Sequence, residues 1–292
     1  MSLYKEGAYS VPGRVLALCE FLLGCPQMRE RRTVCETALM PEALLGEGDK
    51  RLMVRAVINE SVKLGLVEKA EEDICLAENA LRLLRAQKAD RHFWPLAFME
   101  LLAQSEENHD LLLAIAWWLS LPVLTAPGDW STIDKAKKWR QDADSLSMND
   151  VRYTIFASWA VYLGFAWRQE RWLIPDPTLH VLLRLEAELG DKPREFQAPD
   201  LVRKLAVWCP VLDQGTFART AQAKRICEPL DPKKLSATLS LTLLRLEEDR
   251  YVRLTHAADA EAVLLDETII AGRPELQRVS GIHWLGQMEA EA

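Results

Sequence analysis

The amino-acid sequence predicts a mainly α fold with short β-hairpins, arranged as three consecutive α+β units. Three observations lead there. An apolar, helix-like run that ends at a proline recurs as VLALCEFLLGCP closing on Pro26, LLLAIAWWLSLP closing on Pro122 and LVRKLAVWCP closing on Pro210. Ser61–Leu84 and Ala160–Leu183 align without a gap, so that Val62, Leu64, Gly65, Glu71, Leu83 and Leu84 face the identical Val161, Leu163, Gly164, Glu170, Leu182 and Leu183. A third version of that stretch, Leu241–Leu265, carries Arg250 where the other two have glycine. Self-similarity on this scale marks repeated structural units, each burying the same kind of face. The units are expected over residues 1–96, 97–190 and 191–292.

In the first unit Val15, Leu16, Leu18, Cys19, Phe21, Leu22 and Leu23 recur at helical spacing, and Gly24 with Pro26 ends that helix. Thr33 to Leu45 holds Val34, Leu39, Leu44 and Leu45 with Pro41 inside, which predicts a short second helix or two separate turns. Asp49 is expected to cap a third helix over Lys50 to Leu64. Its inner side would be Leu52, Val54, Val57, Ile58, Val62 and Leu64, with Gly65 as the left-handed terminator. Leu66 to Lys69 and Ile74 to Leu76 then read as two short strands around AEED, followed by a helix from Glu78 to Ala86.

The second unit repeats that junction. A helix from Asn149 to Leu163 leads into strands over Phe165 to Arg168 and Arg171 to Ile174; Pro175 and Pro177 end the hairpin before a helix from Leu179 to Leu189. The Asn149 to Leu163 helix has Arg152 as its only cation and exposes Tyr153, Trp159 and Tyr162 among apolar neighbours, and burial on several sides is expected. In the third unit Asp231 and Pro232 make a good N-cap and first helical residue. Its hairpin is expected to be short or absent, because THAADAEA after Leu254 favours helix.

At 292 residues and 49% hydrophobic content the chain can fill two or three small cores. No apolar run reaches the roughly 18 residues that cross a bilayer, and none follows a basic leader, so a soluble cytoplasmic protein with no membrane partner is expected. Cys19, Cys25, Cys35, Cys75, Cys209 and Cys227 stand among apolar neighbours with no C-x-x-C pair and read as reduced core thiols. The net charge of -7 argues against coating by nucleic acid over the whole surface and leaves a local basic face open. Most of the ten tryptophans lie between Trp94 and Trp208, where the largest core or a packed seam is expected.

Motifs for chemistry are missing. Neither G-x-x-x-x-G-K-[ST] nor G-x-G-x-x-G occurs, so no phosphate cradle is implied. His92, His109, His180, His256 and His283 never fall at metal-ligand spacing, and Ser280 with His283 lacks a nearby acidic orienter. Glu71 with Glu72, Glu106 with Glu107 and Glu247 with Glu248 sit in polar stretches where solvation is the ordinary state. A protein that is not an enzyme and needs no cofactor or metal is expected.

The order helix, helix, helix, hairpin resembles that of the winged helix-turn-helix family, in which the third helix ends in leucine-glycine and a wing strand follows. KLGLVEK at Lys63 to Lys69 carries the resemblance, YLGFAWR at Tyr162 to Arg168 repeats it and EDRYVRL at Glu248 to Leu254 echoes it. A tandem winged-helix protein implies a third helix in the major groove of double-stranded DNA and a wing against its backbone. The residues placed to do this in the first unit are Lys50, Arg51, Arg55 and Lys63 on the third helix and Arg29, Arg31 and Arg32 before it. Lys135, Lys137, Lys138 and Arg140 surround Trp139 in the second unit, and Lys233 and Lys234 precede the corresponding helix of the third. The first unit's cations would equally suit a solvated surface balanced by Glu30, Glu36, Glu47, Asp49 and Glu60.

Two other readings compete with DNA binding. An adaptor that docks partner proteins would show a large exposed apolar patch near the tryptophan-rich middle and no salt-sensitive DNA affinity. A small regulatory effector would need a cavity lined by the tryptophans. On size and architecture, an acidic chain of several winged helices without enzymatic motifs resembles accessory subunits of bacterial genome-defence clusters. The DpdG component of the DNA deazaguanine modification system is one of these, and the resemblance implies protein partners from the same system and a role in transcription regulation or antiviral defence.

Overall fold

The computed structural model describes residues 10–45, 51–86, 91–132, 149–270, 275 and 277–286. The fold is about 54% helical with small antiparallel sheets, none of them closed. The chain divides into two compact units, Met1–Leu111 with Met148–Tyr162 and Leu112–Ser147 with Leu163–Ala292.

The first unit opens on α1 (Pro12–Leu23), where Pro12 sits in the first turn and Val15, Leu18, Cys19 and Leu22 face inward. Gly24 stops it, donating its N–H to the carbonyls of Glu20 and Phe21 at 3.2 and 3.1 Å. A short strand β1 (Arg29–Arg31) follows, then α2 (Arg32–Leu39) and α3 (Leu52–Lys63). The hairpin is β2 (Val67–Ala70) and β3 (Asp73–Leu76), and β1 pairs antiparallel with β3 so that the sheet order is β1-β3-β2. The stretch MRERR reads as a polar loop from sequence, yet Arg29 to Arg31 pairs with Cys75 to Asp73. An edge strand with no buried side chain leaves no apolar alternation to detect.

Two boundary expectations change here. Pro41 divides the Thr33 to Leu45 stretch into α2 and a single 3₁₀ turn at Glu42–Leu44. The proposed cap Asp49 lies outside the described residues, and α3 begins at Leu52 behind Arg51, which is left-handed at φ 53°. The end of α3 matches expectation. Gly65 takes φ +67°, the N–H of Leu66 reaches the carbonyl of Ser61 and that of Gly65 the carbonyl of Val62, which closes the helix with a left-handed cap.

The same unit contains α4 (Glu78–Ala86), α5 (Trp94–Gln104) and α7 (Asp150–Tyr162). Trp94, Phe98 and Trp159 are buried among them, with the rings of Phe98 and Trp159 5.8 Å apart. The indole N–H of Trp159 donates to the carbonyl of Ser10 at 2.9 Å. Trp159 is thus buried as the sequence implies, while Tyr153 and Tyr162 are half-buried.

The second unit takes in most of α6 (His109–Leu119), then the hairpin β4 (Ala166–Gln169) and β5 (Trp172–Pro175) and the helix α8 (Thr178–Leu189). The β4–β5 register, Ala166 with Pro175 through Gln169 with Trp172, is that of β2–β3 displaced by the repeat offset. Gly164 mirrors Gly65 at φ +80°, and Glu170 mirrors Glu71, both left-handed at φ 54° and 55°. The aligned pair therefore shares its backbone conformation as well as its residues.

After α8 come β6 (Arg194–Gln197), α9 (Ala198–Trp208), α10 (Thr216–Ala223), α11 (Ala237–Glu248) and β7 (Val252–Thr255). The chain then passes through the short pair β8 (Val263–Leu264) and β9 (Arg278–Val279) before β10 (Gly281–Trp284) enters between β6 and β7. The sheet order β6-β10-β7 reproduces β1-β3-β2 with a long excursion in place of the tight turn. This overturns two expectations. Among the described residues no α-helix follows Leu254, and α11 starts at Ala237 behind Ser236, whose hydroxyl accepts the Leu239 N–H at 3.2 Å, rather than at Asp231 and Pro232. Ser236 supplies what a proline after aspartate suggests only locally, an oxygen at the right height for the free N–H groups.

Arg250, standing in for the repeat's glycine, is left-handed at φ 62° and closes α11 with the same bonds, Tyr251 N–H to Leu246 and Arg250 N–H to Glu247. α8, expected to end the second repeat, packs on α11. LVRKLAVWCP forms α9, which follows strand β6 as α2 follows β1, so it is not the topological counterpart of the opening helix α1.

Candidate nucleic-acid interface

Helices α2 and α3 bring Arg32, Arg51, Arg55 and Lys63 of the first unit's predicted cations to one region, and carboxylates with them. Glu36 on α2 is buried, with its side chain 5% exposed; it accepts from Arg32 Nε at one oxygen and from Arg55 Nε at the other, each at 2.9 Å. Arg55 remains 46% exposed. Arg51 donates to the Met40 carbonyl at 3.2 Å and stands 3.8 Å from Glu42, and Lys63 holds Glu60 at 2.9 Å. Arg55, Asn59 and Lys63 are four apart along α3 and form one oblique row, with Arg51 at its N-cap; Arg55 and Asn59 are exposed and Arg51 and Lys63 half-exposed. The row is therefore accessible, but its cations hold acids: Arg55 and Lys63 reach Glu36 and Glu60, only 5% and 6% exposed, and Arg51 stands near Glu42 of the 3₁₀ turn. A phosphate can bind the outward side of these cations while they stay on their acids, since leaving a buried carboxylate unpaired would be costly.

Arg29 lies apart from that row, across the sheet at 2.5 Å from Asp73, while Arg31 is exposed on β1. The β2–β3 hairpin carries Glu68, Glu71, Glu72 and Asp73 against Lys69, a sign that repels a DNA backbone. Lys50, Lys135, Lys137, Lys138, Arg140 and Trp139 lie outside the described residues. Lys233 and Lys234 are exposed ahead of α11, and their backbone is tied to the β8 region, with Leu264 N–H bonded to the Lys233 carbonyl at 2.8 Å. α11 itself buries Leu239, Ser240, Thr242, Leu243, Leu244 and Leu246, which leaves it little surface to offer a groove.

The β4–β5 hairpin bears a group that the sequence reading passed over. Trp167 is 39% exposed and Trp172 41%. The register places both on one face with Gln169 and Ile174, while Ala166, Leu173 and Pro175 are buried on the other. Arg171 is exposed at the turn with its guanidinium 5.4 Å from the Trp172 ring centre, whereas Arg168 alternates with Trp167 and belongs to the opposite face. Beside β5 runs an open apolar groove of about 650 Å³, lined by residues that include Leu124, Trp172, Ile174, Leu241 and Ile269. Leu124 is 81% exposed there.

Another open groove, of about 910 Å³, lies over the β6-β10-β7 sheet, lined among others by Arg203, Lys204, Trp208, Thr255 and His283. It includes one tryptophan, Trp208, and its charged groups pair locally, Arg203 with Asp200 and His283 with Glu195. Cys19, Cys35, Cys209 and Cys227 are buried, Cys25 and Cys75 half-buried, and all are free thiols. Burial pushes the Cys19 and Cys209 thiols up to about 12. Among the described residues no helix is long and apolar enough to cross a membrane.

A family model described as DpdG-like matches residues 1–260. No curated protein and no solved structure matches the chain.

Proposed function

The chain belongs to the DpdG-like family, and we propose that it is a non-enzymatic, DNA-binding component of a bacterial DNA-modification and defence system. The family points to a role in a DNA-modification system. What supports DNA binding beyond that is the first unit, where α1, β1, α2, α3 and a hairpin follow in the order of a winged helix and the sheet runs β1-β3-β2. The single observation that carries the reading is the accessible row Arg55, Asn59 and Lys63, with Arg51 at its N-cap, on α3, the helix such domains lay in the major groove. In this reading the β6-β10-β7 part is a winged helix whose third helix is enclosed, and it serves as a scaffold.

Fluorescence anisotropy of a random 20-base-pair duplex at 50 and 200 mM salt tests the proposal. Salt-sensitive binding by the wild type and its loss in an Arg51→Glu, Arg55→Glu variant are expected. No duplex binding at 50 mM salt sinks it. The apolar groove with Leu124 and Trp172 favours a second reading, an adaptor that docks protein partners of the same system; Leu124→Asp would then release a partner subunit while duplex affinity stays absent.

A further inference from the structure

We propose that the β4–β5 hairpin is a binding site for unpaired nucleobases of single-stranded nucleic acid, with Trp167 as the stacking ring and Arg171 at the turn as its phosphate contact. The inference starts from an internal control that the repeat supplies. The two hairpins share register, turn length and the left-handed turn residue, so their backbones differ little and their side chains carry the difference. Where the first has Glu68, Glu72 and Asp73, the second has Trp167, Arg171 and Trp172. In the first hairpin Glu68 and Glu72 are solvated and Asp73 pairs with Arg29 of the neighbouring strand, while the second has no such strand beside it among the described residues and leaves Trp167 39% exposed, an apolar area that marks a contact surface.

The chemistry of the exchange selects the occupant. Across the strands and turn, the first hairpin carries four acids against one lysine, and the second two arginines against one glutamate, Glu170. The reversal favours an anionic partner, and flat exposed rings beside guanidiniums are what bases and phosphates take together. Asp129, held ionised by the Thr132 N–H at 2.8 Å and the Ser131 hydroxyl at 2.9 Å, also acts on Arg171 and offsets part of its charge, but the hairpin's balance stays positive. A peptide strand would need a free backbone edge, and on β5 the Leu173 N–H is already given to the Gly128 carbonyl at 2.8 Å. The same contact fixes the platform. A side chain at Gly128 would meet the Trp172 ring at 2.7 Å, so Trp172 is seated over bare backbone, leaving Trp167 as the ring without a packing partner of that kind.

The test uses the full chain and fluorescein-labelled dT15 at 50 mM salt. The wild type binds dT15. Trp167→Ala weakens it by about tenfold, Trp167→Phe restores most of the affinity, and Arg171→Glu weakens it and flattens its salt dependence. Thermal unfolding of each variant checks that the fold is intact. Folded wild type that ignores dT15, or Trp167→Ala that binds like wild type, overturns the proposal. So does a Trp167→Ala chain that loses a co-purifying subunit while dT15 affinity is unchanged. This site and the α3 row fail separately, since Arg51→Glu with Arg55→Glu acts on duplex and leaves dT15 binding in place.

Discussion

Arg55 on α3 reaches the buried carboxylate of Glu36 on α2 at 2.9 Å, taking the oxygen that Arg32 leaves free. One acid thus orients two guanidiniums and partly cancels them. Glu36→Gln keeps the shape and removes the charge. It is expected to cost about 1–2 kcal/mol in urea unfolding, since the partners are partly solvated. If the α3 row meets phosphate, the same change raises duplex affinity at 50 mM salt by about threefold or more. Lower stability with unchanged duplex affinity would make Glu36 a packing residue only.

Gly65 and Gly164 occupy the same place in the repeat and differ in what surrounds them. Both are left-handed, at φ +67° and +80°. A Cβ at Gly65 meets nothing within 4 Å, whereas one at Gly164 falls 2.8 Å from the His180 backbone nitrogen. Gly65→Ala should therefore lose only the left-handed penalty, about 1 kcal/mol, and Gly164→Ala at least twice that. Equal losses by calorimetry would contradict the crowding.

Arg250→Gly is expected to stabilise the protein. The residue holds φ 62° at the end of α11, where glycine pays no steric cost, and the gain is of the order of 1 kcal/mol, visible as a rise in Tm. A fall in Tm would mean that the arginine side chain contributes more than its backbone loses.

His180 is fully buried, its Nδ1 2.6 Å from the Leu163 carbonyl and its ring stacked 4.2 Å from Phe165. Burial, reinforced by Arg184, pushes its pKa down to about 3, from an ordinary value near 6.5. The unfolded chain binds a proton at this residue below pH 6.5 while the folded chain refuses it until about pH 3, so stability falls as pH drops through that window. Between pH 7 and 5 the loss should approach about 2 kcal/mol, and His180→Phe should remove most of it. An identical pH dependence in the variant would exclude His180 as the source.

Local signals in the sequence were enough for the helix-to-hairpin junctions. Leucine-glycine ends, alternating residues and the constant offset of the repeat place β2–β3 and β4–β5 within a residue of where they stand. The strands β1 and β10 are different. Arg29 to Arg31 is uniformly polar, and Gly281 to Trp284 pairs with residues far back in the chain, so neither has a neighbour in sequence that announces it. The candidate site was half legible for a similar reason. The cations of α3 can be counted, but Glu36 comes between Arg32 and Arg55 only once α2 and α3 are packed. Tryptophan alone does not say whether it is core, like Trp117 and Trp118, or surface, like Trp167 and Trp172. Their alternation with buried Ala166 and Leu173 was the available clue.

The sheet order β6-β10-β7 has a consequence for biosynthesis. The two tight hairpins each close within ten residues and can form as soon as they leave the ribosome, whereas β6 and β7 wait for the strand between them. During vectorial synthesis Arg194 to Gln197 and Val252 to Thr255 emerge with open edges and acquire their common partner only when Gly281 to Trp284 arrives. The nascent chain therefore passes through a stage with its amino-terminal sheet complete and its last one unpaired, when strand edges are most open to chaperones or to another nascent copy.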